Sequence, residues 1–218
     1  MNNIKDLNGN TLAEKVHTFL RNEIINNKFE PGEPIEGATI INKLGISRTP
    51  IREALKQLET ENLVKIYPKR GTFITTVSLE KIHELFQLRE VIEPEVARLV
   101  APYISKDKLS QIERKLLSIK EKVDKGEDDI IKEAVMLGQS LHDFIISTLG
   151  NEVMIRIVDN LKTDIERGCS FASQKTGNVS KFLEQHLEII SALKERNADK
   201  AKSSVTKHIQ EARKSLFG

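Results

Sequence analysis

The sequence predicts a mainly α protein: an N-terminal winged helix-turn-helix of three helices and a β-hairpin, followed by an all-α helical bundle. Three observations carry this. Helical periodicity is interrupted by β-rich residues between Leu63 and Thr76. A Gly45-Ile46-Ser47 junction separates two short helical segments ahead of that interruption. From Ser78 onward, apolar residues recur at helical spacing almost without a break. At 218 residues the chain has room for two domains. The boundary falls near Val77, giving domains 1–76 and 77–218.

The first helix is read from Thr11 to Asn27. Leu12, Val16, Phe19, Leu20 and Ile24 share one face, and Thr11 with Glu14 three residues on has the pattern of a capping box. Phe29-Glu30-Pro31-Gly32-Glu33-Pro34 then breaks the helix twice, which predicts a surface turn. A short helix from Glu36 to Leu44 has poor intrinsic propensity because of Gly37, Thr39 and Ile40-Ile41, so packing must hold it. Gly45 suits its left-handed stop, Ser47 suits the next N-cap, and Pro50 is tolerated in a first turn.

The third helix runs to about Glu61, with Ile51, Ala54, Leu55 and Leu58 on one face and Arg48, Arg52 and Lys56 on another. Leu63-Val64-Lys65-Ile66 and Thr72-Phe73-Ile74-Thr75-Thr76 read as two strands joined by Tyr67-Pro68-Lys69-Arg70-Gly71, a turn with a basic tip. Beyond it Ser78 caps a helix reaching Ile92, and Pro94 restarts that helix after a kink. Further helices are expected over 106–123, 128–149, 152–171, 179–196 and 198–216, separated by Gly126, Gly150-Asn151, Gly177-Asn178 and Asn197-Ala198-Asp199.

Composition excludes several classes. No apolar run approaches the roughly 18 residues of a membrane span, and 39% hydrophobic with 30% charged residues is ordinary for a soluble chain. The N-terminus lacks the features of a secretory signal and Cys169 is the single cysteine, both of which predict the cytoplasm. A net charge of +2 identifies no partner, because nucleic-acid binding depends on where the charge sits.

Charge placement is more telling. Three helices followed by a two-stranded wing suit duplex DNA, whose major groove admits one helix while flanking elements touch phosphates. Arg48 and Arg52, one turn apart at the start of the third helix, are placed to reach guanine edges or phosphates. Ser47, Thr49 and the helix N-terminus suit a phosphate, Lys56 extends the same face, and Lys69, Arg70 and Gly71 form the wing tip. The bland alternative is a solvated charge stripe on an amphipathic helix.

In the second domain His142, His186 and His208 each lie on the apolar face of a separate helix. Three such histidines either are satisfied core residues or converge on a divalent metal, which imidazole binds well. Arg89 either recognises a carboxylate through its planar fork or pairs with Glu93 one turn on; Arg167 is a second candidate for a carboxylate.

The segment Leu44-Gly45-Ile46-Ser47-Arg48-Thr49-Pro50-Ile51-Arg52-Glu53-Ala54-Leu55, with Leu58, Leu63-Val64 and Arg70-Gly71-Thr72-Phe73-Ile74 beyond it, resembles the winged-helix domain of the GntR family of bacterial regulators. Gly37-Ala38 depart from the family's frequent Glu-Arg, so a usual contact to DNA is expected to be missing. Arg89-Glu90-Val91-Ile92-Glu93-Pro94 with Ala97 and Ala101, and then Leu141-His142-Asp143-Phe144-Ile145, Gly150-Asn151, His186 and His208, resemble the FCD effector domain of the FadR-like branch.

That resemblance implies an antiparallel bundle whose cavity holds a metal through one Asp and three His, with an organic acid at or near it. The Asp position is Gly138 here, and Gln139 and Asp143 point elsewhere, so a three-histidine site for zinc, nickel or manganese is expected. The resulting expectation is a homodimeric regulator, a repressor in its simplest form, that binds a pseudo-palindromic operator in double-stranded DNA. A small organic acid controls it, with no membrane involved. The competing readings are a three-histidine metalloenzyme with an N-terminal interaction module, which lacks an obvious general base or a His-Glu-x-x-His pattern, and a dimerisation adaptor without DNA binding.

Overall fold

Thr11 closes the first turn of the chain's first helix in both directions. The Glu14 N–H donates to Thr11 Oγ1 at 3.1 Å, and Glu14 Oε2 accepts from the Thr11 N–H at 3.0 Å. From this capping box runs α1 (Leu12–Ile25). The structure, a computed structural model, describes residues 11–25, 28–76, 78–125, 130–176 and 179–217, with side chains for all of these except 43, 131, 132 and 171–176. Val77, Gly126 and Gly177-Asn178, which the sequence reading uses as a boundary and as breaks, lie outside the described residues.

After α1 the order is β1 (Pro34–Ile35), α2 (Gly37–Leu44), α3 (Arg48–Thr60), β2 (Val64–Tyr67) and β3 (Gly71–Ile74). Gly45 takes φ 64° and its N–H donates to the Ile41 carbonyl at 2.8 Å, so α2 ends on a left-handed glycine. Ser47 stands at the N-cap of α3 with extended backbone, but its side chain makes no capping hydrogen bond, contrary to the cap expected of it. Val16, Leu20 and Ile24 of α1 form one core with Ile51, Ala54, Leu55 and Leu58 of α3 and with Ile35, Val64 and Ile74 of the sheet.

The sheet has three strands in the order β1-β3-β2, not the two-stranded hairpin the sequence predicts. β1 pairs antiparallel with β3 in the register Pro34↔Phe73, and the Ile74 N–H donates to the Glu33 carbonyl at 2.9 Å. Pro34 is admissible there because β1 is an edge strand, where one missing N–H costs no ladder bond.

The chain divides into two compact units, Met1–Ser78 and Leu79–Gly218. The second holds α4 (Leu79–Val100), α5 (Lys106–Asp124), α6 (Ile131–Thr148), α7 (Glu152–Thr176), α8 (Val179–Lys194) and α9 (Ala198–Phe217). α4 passes through Pro94 as one helix instead of stopping at Ile92 and restarting. Pro94 is buried with Val96, Ala97 and Val100 on a helix that packs most extensively on α9, and that burial offsets the hydrogen bond a mid-helix proline removes.

Ser105 Oγ accepts from the Lys108 N–H to start α5, and Asn151 Oδ1 accepts from the Val153 and Met154 N–H groups to start α7. α7 comes close under α4 at Gly168, where an added Cβ would lie 3.3 Å from Ile82 Cγ2. Among the described residues no helix is long and apolar enough to cross a membrane.

Candidate functional site

The N-terminal unit presents one face of α3 and the turn between β2 and β3. Ile51, Ala54, Leu55 and Leu58 turn into the core, which leaves Arg48, Arg52 and Lys56, spaced by four, exposed together with Ser47 and Thr49. Among the described residues none of the three basic side chains is in an ion pair.

At the turn, the Arg70 N–H donates to the Tyr67 carbonyl at 3.0 Å, Lys69 is held at φ 64° and Gly71 at φ 110°. Lys69 therefore occupies backbone space that glycine enters more easily. Arg70 lies over the Tyr67 ring at 5.7 Å, and Tyr67 meets Phe73 edge to face at 5.7 Å. Glu59 Oε1 accepts from the Ile66 N–H at 2.8 Å, fixing β2 to α3. Glu61, at the end of α3, pairs with His17 at 2.6 Å and Arg21 at 2.9 Å on α1. Burial acts to raise the Glu61 carboxyl, but His17 and Arg21 more than offset it and hold it below its ordinary range. Arg21 and His17 thus support the helix and do not join the exposed basic face.

In the second unit α6, α8 and α9 bring His142, His186 and His208 together, all buried, with one ring nitrogen of each within 4.8 Å of the others. The ring centroids are 5.4 Å apart for His142 and His186, 5.2 Å for His142 and His208, and 4.3 Å for His186 and His208. Each Nδ1 faces an oxygen acceptor. His142 Nδ1 is 2.6 Å from Glu93 Oε2, His186 Nδ1 is 2.6 Å from the Phe182 carbonyl, and His208 Nδ1 is 3.0 Å from Gln185 Oε1. Gln185 is itself oriented, since its Nε2 donates to Glu211 Oε2 at 2.8 Å.

Acceptors on all three Nδ1 atoms assign the proton there and leave the Nε2 lone pairs for a ligand. His142 Nε2 is buried and has no hydrogen-bond partner. Burial lowers His186 to about 3 and holds His208 well below its ordinary value, so both are neutral, the form that binds metal. Around a tetrahedral ion, histidine nitrogens stand about 3.3 Å apart. The donor set fits a divalent cation after a small inward movement of the rings.

Glu93 links this cluster to Arg89. Burial pushes the Glu93 carboxyl up, but the Arg89 guanidinium and His142 more than offset that and hold it at about 2. Arg89 Nε donates to Glu93 Oε1 at 2.5 Å, Arg89 Nη1 donates to Cys169 Sγ at 3.1 Å, and the guanidinium lies 5.4 Å from the centre of the Phe86 ring. Arg89 and Glu93 are each 4% exposed, so their pairing is a core ion pair. Burial raises the Cys169 thiol, which keeps it protonated.

The three histidines, Arg89, Cys169, Gln139 and Phe182 line a chamber of about 40 Å3. Gln139 therefore does reach the chamber, while Asp143 is turned to Lys162 at 2.5 Å. Arg167 is buried on α7, where Asp164 partly offsets the lowering that burial imposes on it, and it is not among the residues lining the chamber. Glu93, Gln185 and Glu211 escaped the sequence reading as orienting groups. The signal for Glu93 was its place one turn after Arg89; that for Gln185 was adjacency to His186.

A winged helix with an exposed basic helix face, joined in sequence to a helical unit with a histidine-lined chamber, defines the chain as a DNA-binding transcription regulator with a separate helical domain. Comparison with known proteins makes this specific. The model of the bacterial regulatory proteins of the gntR family matches residues 12–74, and that of the FCD domain matches residues 84–211. The chain belongs to the GntR family of regulators, in the branch carrying an FCD domain.

It is 26% identical over 203 residues to the HTH-type transcriptional repressor RspR of Escherichia coli K12, an alignment covering 93% of this chain and 88% of the relative. It is 27% identical over 191 residues to the uncharacterized HTH-type transcriptional regulator YdhC of Bacillus subtilis, covering 87% and 84%. Its fold matches the structure of E. coli McbR/YncC with a TM-score of 0.75 at 17% identity, over 95% and 97% of the two chains.

Proposed function

We propose that this regulator is a homodimeric repressor whose hold on a pseudo-palindromic operator is controlled by a small organic acid bound, with a divalent metal, in the histidine chamber. The observation that carries the control reading is the orphaned His142 Nε2, buried in a chamber where all three imidazoles have their Nδ1 atoms anchored elsewhere. A buried polar atom without a partner is unfavourable unless a ligand completes it. His142, His186 and His208 would hold the ion, Glu93 and Gln185 would orient the rings, and Arg89 would attract the acid's charge. The metal, when bound, supplies a Lewis-acid anchor for a carboxylate.

On the DNA side, Arg48 and Arg52 read base edges, with each bidentate arginine–guanine pair worth about 1–3 kcal/mol of discrimination. Ser47, Thr49 and Lys56 contact phosphates, as do Lys69 and Arg70 beside Gly71 at the wing tip. The free Ser47 side chain, not engaged in capping, supports its role. Two half-sites about 34–36 Å apart call for two recognition helices, hence the dimer. The repressor name of the E. coli relative supports the sign of regulation, and a cytoplasmic location follows from the role.

The test is operator selection from a random duplex pool, followed by mobility shift with zinc and a panel of small organic acids. Arg48→Ala with Arg52→Ala should abolish the shift. His142→Ala should leave it intact and remove its response to zinc and acid. A response that survives in His142→Ala, His186→Ala and His208→Ala together would refute the assignment of the chamber.

A further inference from the structure

We infer that Glu53 reads a cytosine in the major groove, within about one base-pair step of the guanine taken by Arg52. This rests on the DNA reading of α3 above and deepens it by adding the residue that fixes a further base.

Successive side chains turn by about 100° around an α-helix. Ile51, Ala54, Leu55 and Leu58 mark the side of α3 that faces the core. On that count Glu53 stands within about 30° of the direction straight away from the core, nearer to it than Arg52 and level with Lys56. Thr49 lies one turn before it, and all four of these outward residues are exposed. A helix that enters the groove by this face carries Glu53 in with it.

Among the described residues the fold makes no use of this carboxylate. Glu59 accepts from the Ile66 N–H, and Glu61 pairs with His17 and Arg21, but Glu53 has neither a hydrogen bond nor an ion pair. It is the sixth residue of α3, past the first turn in which a negative charge gains from the helix N-terminus.

A carboxylate at that place repels phosphates and so weakens any purely electrostatic binding. It gains only by accepting a hydrogen bond from a base edge. Cytosine offers its N4 amino group alone, adenine sets its N6 donor beside the N7 acceptor, and guanine and thymine turn acceptors to the groove. Cytosine is therefore the base that Glu53 selects. Adjacent Cα atoms are about 3.8 Å apart and stacked base pairs about 3.4 Å, which sets the cytosine beside the guanine of Arg52.

The experiment selects operators from a random duplex pool with the full-length protein, Glu53→Gln and Glu53→Ala. Fluorescence anisotropy then compares single-base variants of the selected site at one fixed salt concentration. The wild type should prefer cytosine by at least about fivefold at one position of each half-site. Glu53→Gln should move that preference to adenine, whose N6 and N7 suit an amide. Glu53→Ala should bind all four bases there within about twofold, keep its preferences elsewhere and hold non-operator duplex more tightly than the wild type.

Unchanged base preferences in both variants overturn the assignment and leave the contacts of Arg48 and Arg52 standing. A preference lost for a base other than cytosine overturns the chemistry given to Glu53. Uniform weakening at every position, with a melting temperature lowered by more than about 2 °C, marks a structural residue and overturns its place in the groove. A wild type that selects no motif overturns the base reading of α3 altogether, and Glu53 with it.

Discussion

Replacing Glu93 by glutamine tests whether the Arg89–Glu93–His142 chain is a fully buried charge network. Glutamine keeps the shape and an acceptor oxygen for His142 Nδ1, but it leaves the Arg89 guanidinium, 4% exposed, without a counter-charge. Removing one partner of a buried ion pair costs about 3–5 kcal/mol, and the retained acceptor places Glu93→Gln at the lower end, about 3 kcal/mol. At roughly 2–4 °C per kcal/mol for a chain of this size, the melting temperature of the helical unit should fall by about 6–12 °C.

Circular dichroism at 222 nm as a function of temperature measures it. The double variant Arg89→Met with Glu93→Gln removes the orphaned charge and should recover most of the loss. The pH dependence has a definite sign. Glu93 is depressed from 4.5 to about 2, so its contribution is complete above 4.5 and lost as pH falls from there toward 2. Glu93→Gln should lack that portion of the acid-unfolding curve. A single variant melting within 2 °C of wild type, or a double variant melting below the single, would refute the network.

Three further outcomes follow from the N-terminal unit. Lys69→Ala should weaken DNA binding about equally across sequences and reduce the slope of log affinity against log salt by about 1, as measured by fluorescence anisotropy; an unchanged slope removes Lys69 from the phosphate contacts. Gly45→Ala has open space for its methyl but must hold φ 64°, which should cost about 1 kcal/mol in denaturant unfolding, with no loss expected if α2 ends otherwise. Glu61→Gln should cost no more than about 1 kcal/mol, since the pairs with His17 and Arg21 are partly solvent-screened. Because Glu61 is depressed below 4.5, the wild-type advantage should be fully present above that pH and decline as the pH falls below it, and an advantage that does not decline under acid would contradict the pairing.

Helices and their order were legible because each carries its apolar stripe and its stops locally: Thr11 with Glu14, Gly45 and Asn151 act within four residues of their own positions. β1 was not, because two residues hold no period and their pairing to Phe73 and Thr72 is decided some 40 positions away. Pro94 misled for a related reason. Its local effect is to break a helix, and only the packing of α4 overrides it.

At the chamber, three histidines on apolar faces announced themselves by periodicity, and the structure brings them together. What fixes their tautomers did not. Glu93 reads as the partner of Arg89 one turn away, and its reach to His142 depends on two helices distant in sequence. Gln185 looks like a surface residue until Glu211 and His208 claim its two ends. Gly138 was visible as an absence; that His186 fills the space it leaves is a three-dimensional fact.

Pro94 has a mechanical consequence for its neighbour. In a regular helix the N–H at position 94 would bond the carbonyl of Glu90, and proline deletes that rung from the ladder. The omission lies directly after Glu93, so the turn that carries the carboxylate holding His142 is tied by one backbone hydrogen bond fewer than a regular helical turn.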